Sequence, residues 1–347
     1  MDVRLSPEQR ALRDSVAQVL EHLGPDTVRA LDDDARVAKL DAAVAAAGWR
    51  ELRVAADDGR PLASGVETAI VAEELGRGLA DAAFLGPTLA AELRRRTGAL
   101  PADGPETVAL TADLGTVAVA ADGVVPDGAV AIDAPGATTA LVLAPVDGGW
   151  ALATVEAKAA DTRVDLTRPV APLDPSAAVV AVPHQGRALT EDDLTAWTAL
   201  GLAVGAADLV GTTRGAVELA CGYAKERTQY GRAIGSFQAV QHLLADAFVA
   251  VEGSRSVALH AAWAVDALPP AEALASGATA KAYSARAART ACEAAIQVHG
   301  GIGNTWECLA HVFLRRALLS SDVLGGVGVN LDRVLAHRGI GRADGLR

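Results

Sequence analysis

Three long helical stretches fill most of the second half of the sequence, and they constrain the fold more than any other feature. They cover about Asp192 to Arg227, Gln238 to Val265 and Glu272 to Val298, and each is long enough to serve as one helix of a bundle. Thr190 can cap the first stretch, and the acidic residues that follow it favour the positive end of a helix. Aromatic residues make up only 3% of the chain. The sequence therefore predicts a C-terminal bundle, residues 188–347, in which small side chains let helices pack closely.

The N-terminal part of the chain, residues 1–104, also has helical periodicity. Ser6 can cap a helix that starts at Pro7, and Gln9 can return the capping hydrogen bond. One apolar face then follows at helical spacing. Its residues are Leu12, Val16, Val19 and Leu23. Further helical patterns cover Val37–Ala47, Gly65–Leu75 and Pro87–Arg95. We therefore expect a small helical domain before the first strand.

The middle part, residues 105–187, has the pattern of a β-domain. Short apolar runs, TVALTA, TVAVAA, TTALVLAP and AAVVAVP, alternate with turns rich in Gly, Pro and Asp, which is typical of strands. We expect a compact antiparallel sheet or barrel at about residues 107–182. The predicted fold is thus mainly α-helical with a central β-domain, in the order helical domain, sheet and four-helix bundle.

Charge and composition exclude several classes of function. The formal charge of −12 would repel a phosphate backbone, so nucleic acid is not an expected partner. The first residues, MDVRLSPEQR, carry charge too early for a secretion signal, and we find no uncharged stretch long enough to span a membrane. Cys221, Cys292 and Cys308 are expected to be reduced and packed, and the His and Cys residues show no metal-ligand spacing. These features predict a cytoplasmic protein without a membrane segment.

The first segment that could carry chemistry runs from Tyr223 to Phe248. Its pattern is a helix end, a turn with glycine and a restarted helix for which Ser236 is the expected cap. Arg227 stands at the helix end, where a guanidinium can hold a phosphate through two parallel hydrogen bonds. The Gln238 side chain could form hydrogen bonds with the polar edge of a ligand ring. A structural explanation is also open, in which Arg227 favours the negative end of the helix and the glycine simply makes the turn.

The second segment is QVHGGIGNTWE, from Gln297 to Glu307. It ends a long helix with three glycines within four positions, which leaves the backbone bare and lets amide groups approach a pyrophosphate. A helix stop needs at most one such residue. Together the two segments are a stronger signal for nucleotide binding than either one alone.

The two segments, R-x-Q-Y-G-x-x-I-x-x-F-Q followed by Q-x-x-G-G-x-G, resemble the acyl-CoA dehydrogenase family. The order of helical domain, β-domain and bundle resembles that family over essentially the whole chain. The resemblance implies that these motifs hold the pyrophosphate and adenine of FAD, and that they serve the flavin of a neighbouring subunit. The residues at the matching positions are Arg227, Gln229, Tyr230, Gly231, Gln238, Gln297, Gly300 and Gly301.

The residue needed for proton abstraction is missing from both of its usual places. Enzymes of this family remove the α-proton of an acyl-CoA with a glutamate while the β-hydride passes to the flavin, so a base is indispensable. By resemblance the two places correspond to Gly201 and Leu324, and neither is acidic. Glu307 and Asp322 are weaker candidates for a relocated base. The β-domain also lacks most of the family's residues beside the flavin ring and keeps only ALTADLG, at residues 109–115.

Within the family, the sequence most resembles the paired subunits of bacterial acyl-CoA dehydrogenases that act on steroid side chains and assemble as α2β2. The tail WECLAHVFLRRA fits that subgroup, with Asn304 in place of an expected aromatic residue. The resemblance implies a chain that holds the FAD nucleotide and depends on a second subunit for the base that acts on the acyl-CoA substrate. Two alternatives stay open: a self-sufficient homomeric enzyme with a relocated base, and a scaffold that has lost flavin.

The remaining His and Trp residues have simpler explanations. His242 and His260 fall on predicted bundle helices, where packing or hydrogen bonding accounts for them. Trp197, Trp263 and Trp306 are expected to be anchors in the core or at an interface. We therefore assign none of these five residues to a cofactor.

Overall fold

The computed structural model describes residues 4–158, 164–183 and 186–340, and within these ranges helices come first, a sheet follows and further helices end the chain. The N-terminal helices are α1 (Pro7–Leu23), α2 (Asp34–Ala46), α3 (Gly65–Arg77) and α4 (Leu85–Thr97). The C-terminal helices are α5 (Glu191–Glu226), α6 (Gln238–Ala267), α7 (Pro270–His299), α8 (Ala310–Asp322) and α9 (Val327–His337). Short 3-10 turns lie at Val28–Asp32, Trp49–Glu51, Ile234–Ser236 and Gly300–Asn304. The mainly helical fold class is confirmed.

Two of the expected helix starts are confirmed at the level of hydrogen bonds. The Ser6 hydroxyl accepts from the Gln9 amide, and the Gln9 side chain accepts from the Ser6 amide. Thr190 and Asp193 form the same reciprocal pair at the start of α5. Both helices therefore begin where their sequences satisfy the free amides of the first turn.

The sheet contains six strands, and one pair of neighbours is parallel. The strands are β1 (Glu106–Leu110), β2 (Val130–Ala131), β3 (Thr139–Val146), β4 (Gly149–Glu156), β5 (Ala171–Pro172) and β6 (Val180–Ala181). Their order is β5-β2-β1-β3-β4-β6, and β1 runs parallel to β3. The expectation of an antiparallel sheet or barrel was wrong in this respect, because the described strands form an open mixed sheet.

The sequence located some strands better than others. The run TVAVAA, residues 116–121, is not a continuous strand, since Val117 bridges to Leu110 and Val119 bridges to Leu143. It bonds alternately to β1 and β3 instead of lying along either one. None of the predicted strand runs covers β4, which pairs with β3 over eight residues. Strand pairing of this kind depends on distant partners, which local patterns do not reveal.

Small residues let α5 pack closely against α3, as the low aromatic content predicted. A Cβ atom at Gly211 would overlap the backbone carbonyl of Glu73, so this crossing depends on glycine. Trp197 lies in the core with no exposed surface and donates its indole N–H to the Leu89 carbonyl at 2.9 Å. The expectation of a core anchor is confirmed for Trp197.

A buried cluster of charges joins α5, α8 and the segment after β4. Asp208 accepts two hydrogen bonds from Arg316, at 3.0 and 2.6 Å, and lies 3.3 Å from Arg168. Burial alone would raise the pKa of Asp208, but the two arginines hold that pKa below its ordinary value. Arg316 also donates to the Ala80 carbonyl at 2.8 Å. Removing one partner would leave an uncompensated buried charge, so these elements are tightly tied together.

The sequence was expected to hold no uncharged stretch long enough to span a membrane, and α5 is a long apolar helix that contains the charged Asp208. An 18-residue window of α5, Glu191–Glu226, is long and apolar enough by length and composition. Of that window, 83% is buried inside the chain. A core helix of this kind passes the same test as a membrane span.

Candidate functional site

The first predicted nucleotide segment forms a tight hairpin at the end of α5. Strands β7 (Thr228–Gln229) and β8 (Arg232–Ala233) pair in an antiparallel manner. Tyr230 and Gly231 make the turn, with φ values of 52° and 75°. Two successive residues with positive φ are typical of the turn that best fits a two-residue hairpin. The hairpin presents Tyr230 outward, with 92% of its surface exposed.

Helix α6 starts directly after this hairpin, but its cap differs from the predicted one. Phe237 occupies the cap position without a side-chain hydrogen bond, and the Ser236 hydroxyl instead donates to the Ala233 carbonyl at 2.7 Å. The guanidinium of Arg232 lies over the Phe237 ring, 4.2 Å from its centroid. Gln238 is the first residue of α6 and is exposed. The hairpin and the start of α6 are thus held by aromatic and cation–π contacts.

Arg227 lies between α5 and the hairpin with its guanidinium unused. Its backbone amide donates to the Tyr223 carbonyl at 2.9 Å, and its carbonyl accepts from the Ile234 amide at 2.8 Å. Both backbone groups are therefore fixed. The side chain is exposed and makes no hydrogen bond or ion pair within the described residues. It keeps a full set of donors for an anion.

The second predicted segment ends α7 in an open backbone. Gly300 has φ 66° and ψ −143°, a backbone conformation that residues other than glycine rarely adopt. A Cβ atom at Gly300 or Gly301 would meet nothing within 4 Å. Gly303 differs, because its Cβ would lie 2.9 Å from the Ile296 carbonyl. Gly300 and Gly301 therefore leave bare, accessible backbone, whereas Gly303 serves packing.

The two segments meet in space. The ring of Tyr223 on α5 stacks on the imidazole of His299 on α7, with centroids 4.5 Å apart. One hydrophobic cluster lies beneath both segments and includes Ile234 from the first and Val298 from the second. The structure therefore brings together two motifs that lie about sixty residues apart in the sequence. We call the exposed surface formed by Arg227, the hairpin, Gln238, Gln297, Gly300 and Gly301 the nucleotide arm.

The chemistry of the nucleotide arm fits the pyrophosphate and adenine half of FAD. Arg227 offers a free guanidinium for a phosphate. Gln229, Gln238 and Gln297 are exposed, and their amide side chains make no hydrogen bond within the described part of the chain. The bare glycines permit close approach of a ligand to backbone amides. The role of each residue in FAD binding stays a prediction.

The two positions where a base would be expected lie against each other. Gly201 lies in the first third of α5, and Leu324 follows α8 with no exposed surface. A Cβ atom at Gly201 would overlap the Cδ1 atom of Leu324, and it would lie 3.3 Å from Leu89. The space for a side chain at residue 201 is therefore filled by leucine, and no carboxylate stands at either position.

Three polar side chains fix the backbone that carries Leu324. Leu324 itself has a φ of 60°, which is unusual for a leucine. Arg333 donates to the Leu324 carbonyl at 2.6 Å, and Asn330 donates to the Gly325 carbonyl at 2.6 Å. Lys281 of α7 donates to the Val323 carbonyl. The loop is thus held in one conformation with leucine pointing into the core.

Lys281 is a buried amine that is not among the candidate residues predicted from the sequence. Its residue surface is 1% exposed, and its Cε atom would lie 3.9 Å from a Cβ at Gly205, one turn beyond Gly201. No carboxylate within the described residues forms an ion pair with it. Burial lowers the pKa of Lys281 from its ordinary value to about 7. A lysine in an alanine-rich helix gives no sequence signal that it faces inward.

The candidates for a relocated base lie elsewhere. Glu307 and Asp322 are both exposed. The Glu307 amide donates to the Thr305 hydroxyl at 3.4 Å. Neither carboxylate lines the closed position at Gly201 and Leu324. The structure therefore gives no geometric support for a base at either residue.

Several side chains differ from their expected surroundings. His242 and His260 are exposed on α6 rather than packed, although His260 lies 5.7 Å from the ring of Trp263. Trp306 was expected in the core or at an interface; its 63% exposure excludes the core, and its role at an interface stays a prediction. The guanidinium of Arg315 lies 5.7 Å from its ring. The cysteines are free, as expected, and burial raises the pKa of Cys292 to about 12. That thiol is chemically inert at neutral pH.

A helical domain, a mixed sheet and a helical bundle together form the architecture shared by acyl-CoA dehydrogenase structures. One chain of the ChsE4-ChsE5 complex from Mycobacterium tuberculosis has the same fold, with a TM-score of 0.77 at 24% identity over 99% of this chain and 100% of that one. A Tcur3481-Tcur3483 steroid ACAD chain also gives 0.77, at 22% identity over 96% of this chain and 98% of that one.

Sequence comparison identifies the family as well as the fold. Residues 198–337 match the model of the acyl-CoA dehydrogenase C-terminal domain. The acyl-CoA dehydrogenase IpdE2 of Mycolicibacterium smegmatis is 30% identical over 96% of this chain and 99% of its own length. IpdE2 of Mycobacterium tuberculosis is 33% identical over 92% of this chain and 93% of its own length. The chain belongs to the acyl-CoA dehydrogenase family.

Proposed function

We propose that this chain is the base-deficient subunit of a heteromeric, FAD-dependent acyl-CoA dehydrogenase. In this role it holds the nucleotide half of a flavin whose ring lies against a second subunit. The second subunit supplies the catalytic carboxylate and binds the acyl group. The proposal includes an α2β2 assembly and a cytoplasmic location.

The observation that carries the proposal is the contact between Gly201 and Leu324. Two base positions that are alternatives in the family coincide here, and a leucine side chain fills the shared space. A glutamate side chain introduced at residue 201 alone would overlap Leu324. The packing around Gly201 therefore leaves no room for a base at that position. The nucleotide arm, in contrast, keeps the side chains of Arg227 and its glutamines exposed and without hydrogen-bond partners in the described residues.

The tasks of this chain's own residues follow from their positions. Arg227 can neutralise the pyrophosphate, and the bare backbone at Gly300 and Gly301 lets it approach closely. The Gly300 amide itself donates to carbonyls of the last turn of α7. Gln238 and Gln297 can orient the adenine edge through their free amide groups. Bound FAD supplies the acceptor for the hydride that leaves the β-carbon of the thioester. These residues therefore bind and position FAD, and none of them removes the α-proton of the substrate.

The partner is supported by the fold comparison and by the chain's own deficiency. One similar structure is a complex of two named components, ChsE4 and ChsE5. A chain without a base needs a neighbour that has one. A cytoplasmic location is supported by the three free cysteines.

Lys281 is the observation that favours a second candidate function, a self-sufficient homomeric enzyme. Its pKa of about 7 leaves part of the amine neutral at physiological pH, and a neutral amine can act as a base. Its Nζ atom, however, donates to the Val323 carbonyl, and the residue is 1% exposed. Substrate has no access to it, so we favour the heteromeric enzyme.

Purification with and without a partner tests the proposal. The chain is expressed alone and together with an acyl-CoA dehydrogenase subunit that has the catalytic glutamate. The mass of the assembly and the amount of FAD bound per chain are then measured. We expect a complex of two kinds of chain that retains FAD and dehydrogenates acyl-CoA. A homo-oligomer of this chain that binds FAD and turns over acyl-CoA would support the homomeric enzyme. A stable complex without FAD would support a scaffold.

A further inference from the structure

The hairpin at the end of α5 carries a second unpaired arginine, Arg232, five residues after Arg227. The Arg232 side chain is exposed and makes no hydrogen bond or ion pair within the described residues. Lys225 and Glu226, at the end of α5, offset each other in charge. Glu226 forms no ion pair with either arginine in the part of the chain that the structure describes. The hairpin therefore has two guanidinium groups that are free to bind an anion.

The two arginines lie on the same face of the hairpin. Gln229 is the direct partner of Arg232 across the hairpin, and the Arg227 carbonyl accepts from the Ile234 amide at 2.8 Å. Side chains of direct partners share a face, and so do side chains two residues apart on one strand. Arg227 and Arg232 are therefore diagonal neighbours, a relation that separates Cα atoms by about 7–8 Å and lets long side chains meet.

Phe237 fixes the direction of the Arg232 side chain. The Arg232 guanidinium lies over the Phe237 ring, 4.2 Å from its centroid, and the Tyr230 ring meets Phe237 edge-on, with centroids 6.2 Å apart. Phe237 is half-buried, and its amide donates to the Ile234 carbonyl at 3.1 Å. A cation–π contact engages the face of a guanidinium and leaves the N–H groups along its edge free. Arg232 is therefore held in one direction while its donors stay available.

Two free guanidinium groups on one face match a ligand with two neighbouring phosphates. Each guanidinium can hold one phosphate through parallel hydrogen bonds. The pyrophosphate of FAD has two phosphates, whereas a flavin mononucleotide has one. The chain as a whole has a formal charge of −12, so the positive charge is local to the hairpin and does not favour a long polyanion. A pair of this kind distinguishes a dinucleotide from a mononucleotide.

We propose that Arg232 is a second pyrophosphate-binding residue and that the pair of Arg227 and Arg232 makes the nucleotide arm specific for dinucleotides. This inference rests on the proposed function, in which the arm holds the nucleotide half of FAD. Arg227 binds one phosphate of the pyrophosphate, and Arg232 binds the other. Phe237 is a positioning residue, because it acts through Arg232.

Calorimetric titration of ADP and AMP into the full chain tests the pair without a partner subunit or a flavin ring. ADP has two neighbouring phosphates, and AMP has one. We expect Arg227→Met and Arg232→Met each to raise the dissociation constant of ADP at least about 10-fold, since each removes a charge-assisted contact. Only one of the two variants should weaken AMP binding. Arg29→Met, at an exposed arginine without a partner in the described residues, should leave both dissociation constants unchanged.

Phe237→Leu tests the positioning role, because it keeps an apolar residue before α6 and removes the ring beneath Arg232. ADP binding should weaken about 2- to 5-fold, the effect expected for one exposed cation–π contact. The double variant Phe237→Leu/Arg232→Met should bind ADP within about 2-fold of Arg232→Met alone. Independent effects of the two substitutions would show that Phe237 does not act through Arg232.

Titration of FAD into the FAD-depleted complex with the partner subunit separates this inference from the proposed function. Arg232→Met should raise the FAD dissociation constant roughly 10- to 150-fold and leave the assembly of the two kinds of chain unchanged. If Arg227→Met weakens FAD and ADP binding but Arg232→Met does not, the inference is overturned and the proposed function stands. If neither variant changes FAD binding, both are overturned.

Three further results would overturn the inference. Equal weakening of AMP by both variants would show that the arginines share one phosphate and do not select a dinucleotide. Weaker assembly of the Arg232→Met complex with unchanged ADP affinity would assign Arg232 to an acidic group of the partner subunit. The third is a lack of saturable ADP binding by both the chain and its complex.

Discussion

Tyr223 and His299 stack with their ring planes 25° apart and their centroids separated by 4.5 Å. His299 is buried, and its Nδ1 atom lies 2.7 Å from the Ala295 carbonyl, which places the proton on Nδ1 and fixes the ring. The stack joins the last turn of α5 to the end of α7. Arg227 and Gly300 follow directly on these two helix ends, so their separation is set by packing before any ligand arrives.

Arg227→Ala should weaken FAD binding without changing the fold. The side chain makes no contact that the fold needs, and its loss removes a bidentate, charge-assisted interaction of about 2–3 kcal/mol. We expect the FAD dissociation constant of the assembled complex to rise roughly 30- to 150-fold. Arg286→Ala on α7, an exposed arginine without a partner in the described residues, is the matched control. Equal FAD content in both variants would mean that Arg227 only terminates α5 and does not bind FAD.

The two glycines of the arm should respond differently to alanine. Gly300 has a backbone conformation that alanine adopts poorly, so Gly300→Ala should reduce the free energy of unfolding by about 1–3 kcal/mol. Gly301 has ordinary φ and free space around its Cβ position, so Gly301→Ala should leave the free energy of unfolding within about 0.5 kcal/mol. Gly301→Ala should still weaken FAD binding, because the new methyl group stands where the pyrophosphate approaches. Unfolding curves and FAD titrations measure the two effects separately.

Gly201 and Leu324 should show strong energetic coupling. Gly201→Ala forces a methyl group onto Leu324 and should cost about 1–3 kcal/mol, and Leu324→Ala should cost about 2–5 kcal/mol through its cavity. The double variant should cost less than the sum by at least about 1 kcal/mol, because the smaller residue removes the overlap. Gly201→Ala combined with Val142→Ala, in a separate cluster of the sheet, should be additive. Additivity in both pairs would show that Leu324 does not fill this space.

The sequence predicted the order of the elements well because periodicity and capping are local properties. The helix caps at Ser6 and Thr190, the long helices and the glycine-rich end of α7 all followed from neighbouring residues. The contact between Gly201 and Leu324 could not be predicted, since it depends on how α5 crosses a loop more than a hundred residues away. The parallel pairing of β1 with β3 has the same cause. Lys281 was missed because helix patterns rank lysine as a solvent-facing residue.

Lys281 should make the stability of the protein depend on pH above neutrality. Burial lowers the pKa of Lys281 to about 7 in the folded chain, against an ordinary value of 10.5. Between pH 7 and pH 10.5 the unfolded chain binds more protons at Lys281 than the folded chain does. The contribution of Lys281 to the free energy of unfolding therefore rises with pH, by up to about 1.4 kcal/mol per pH unit. Below pH 7 both states are protonated and the contribution is at its minimum.

Lys281→Met isolates this effect, because all other titrating groups remain. The charged groups that act on Lys281 are Asp322, Arg333, Asp208 and Arg168, and all of them remain in the variant. Cys292 opposes the rise of stability with pH only above about pH 9, where its thiol ionises in the unfolded chain. The difference between wild type and Lys281→Met should therefore change steadily from pH 6.5 to 8.5 in favour of wild type. A constant difference over that range would show that Lys281 keeps an ordinary pKa.

The isolated chain should be nearly inactive toward acyl-CoA even when FAD is added. Neither Gly201 nor Leu324 carries a carboxylate, and loss of a general base costs about 10²- to 10⁴-fold in rate. Adding a Glu-bearing partner should restore turnover, and replacing the partner's glutamate should abolish it again. Glu307→Gln, Asp322→Asn and Lys281→Met in this chain should leave the chemical step of the complex nearly unchanged, because two of these side chains are exposed and the third is capped by a backbone carbonyl. Single-turnover flavin reduction measures that step directly. Rapid flavin reduction by the isolated chain, lost in Lys281→Met but not in the other two variants, would instead identify Lys281 as the relocated base of a homomeric enzyme.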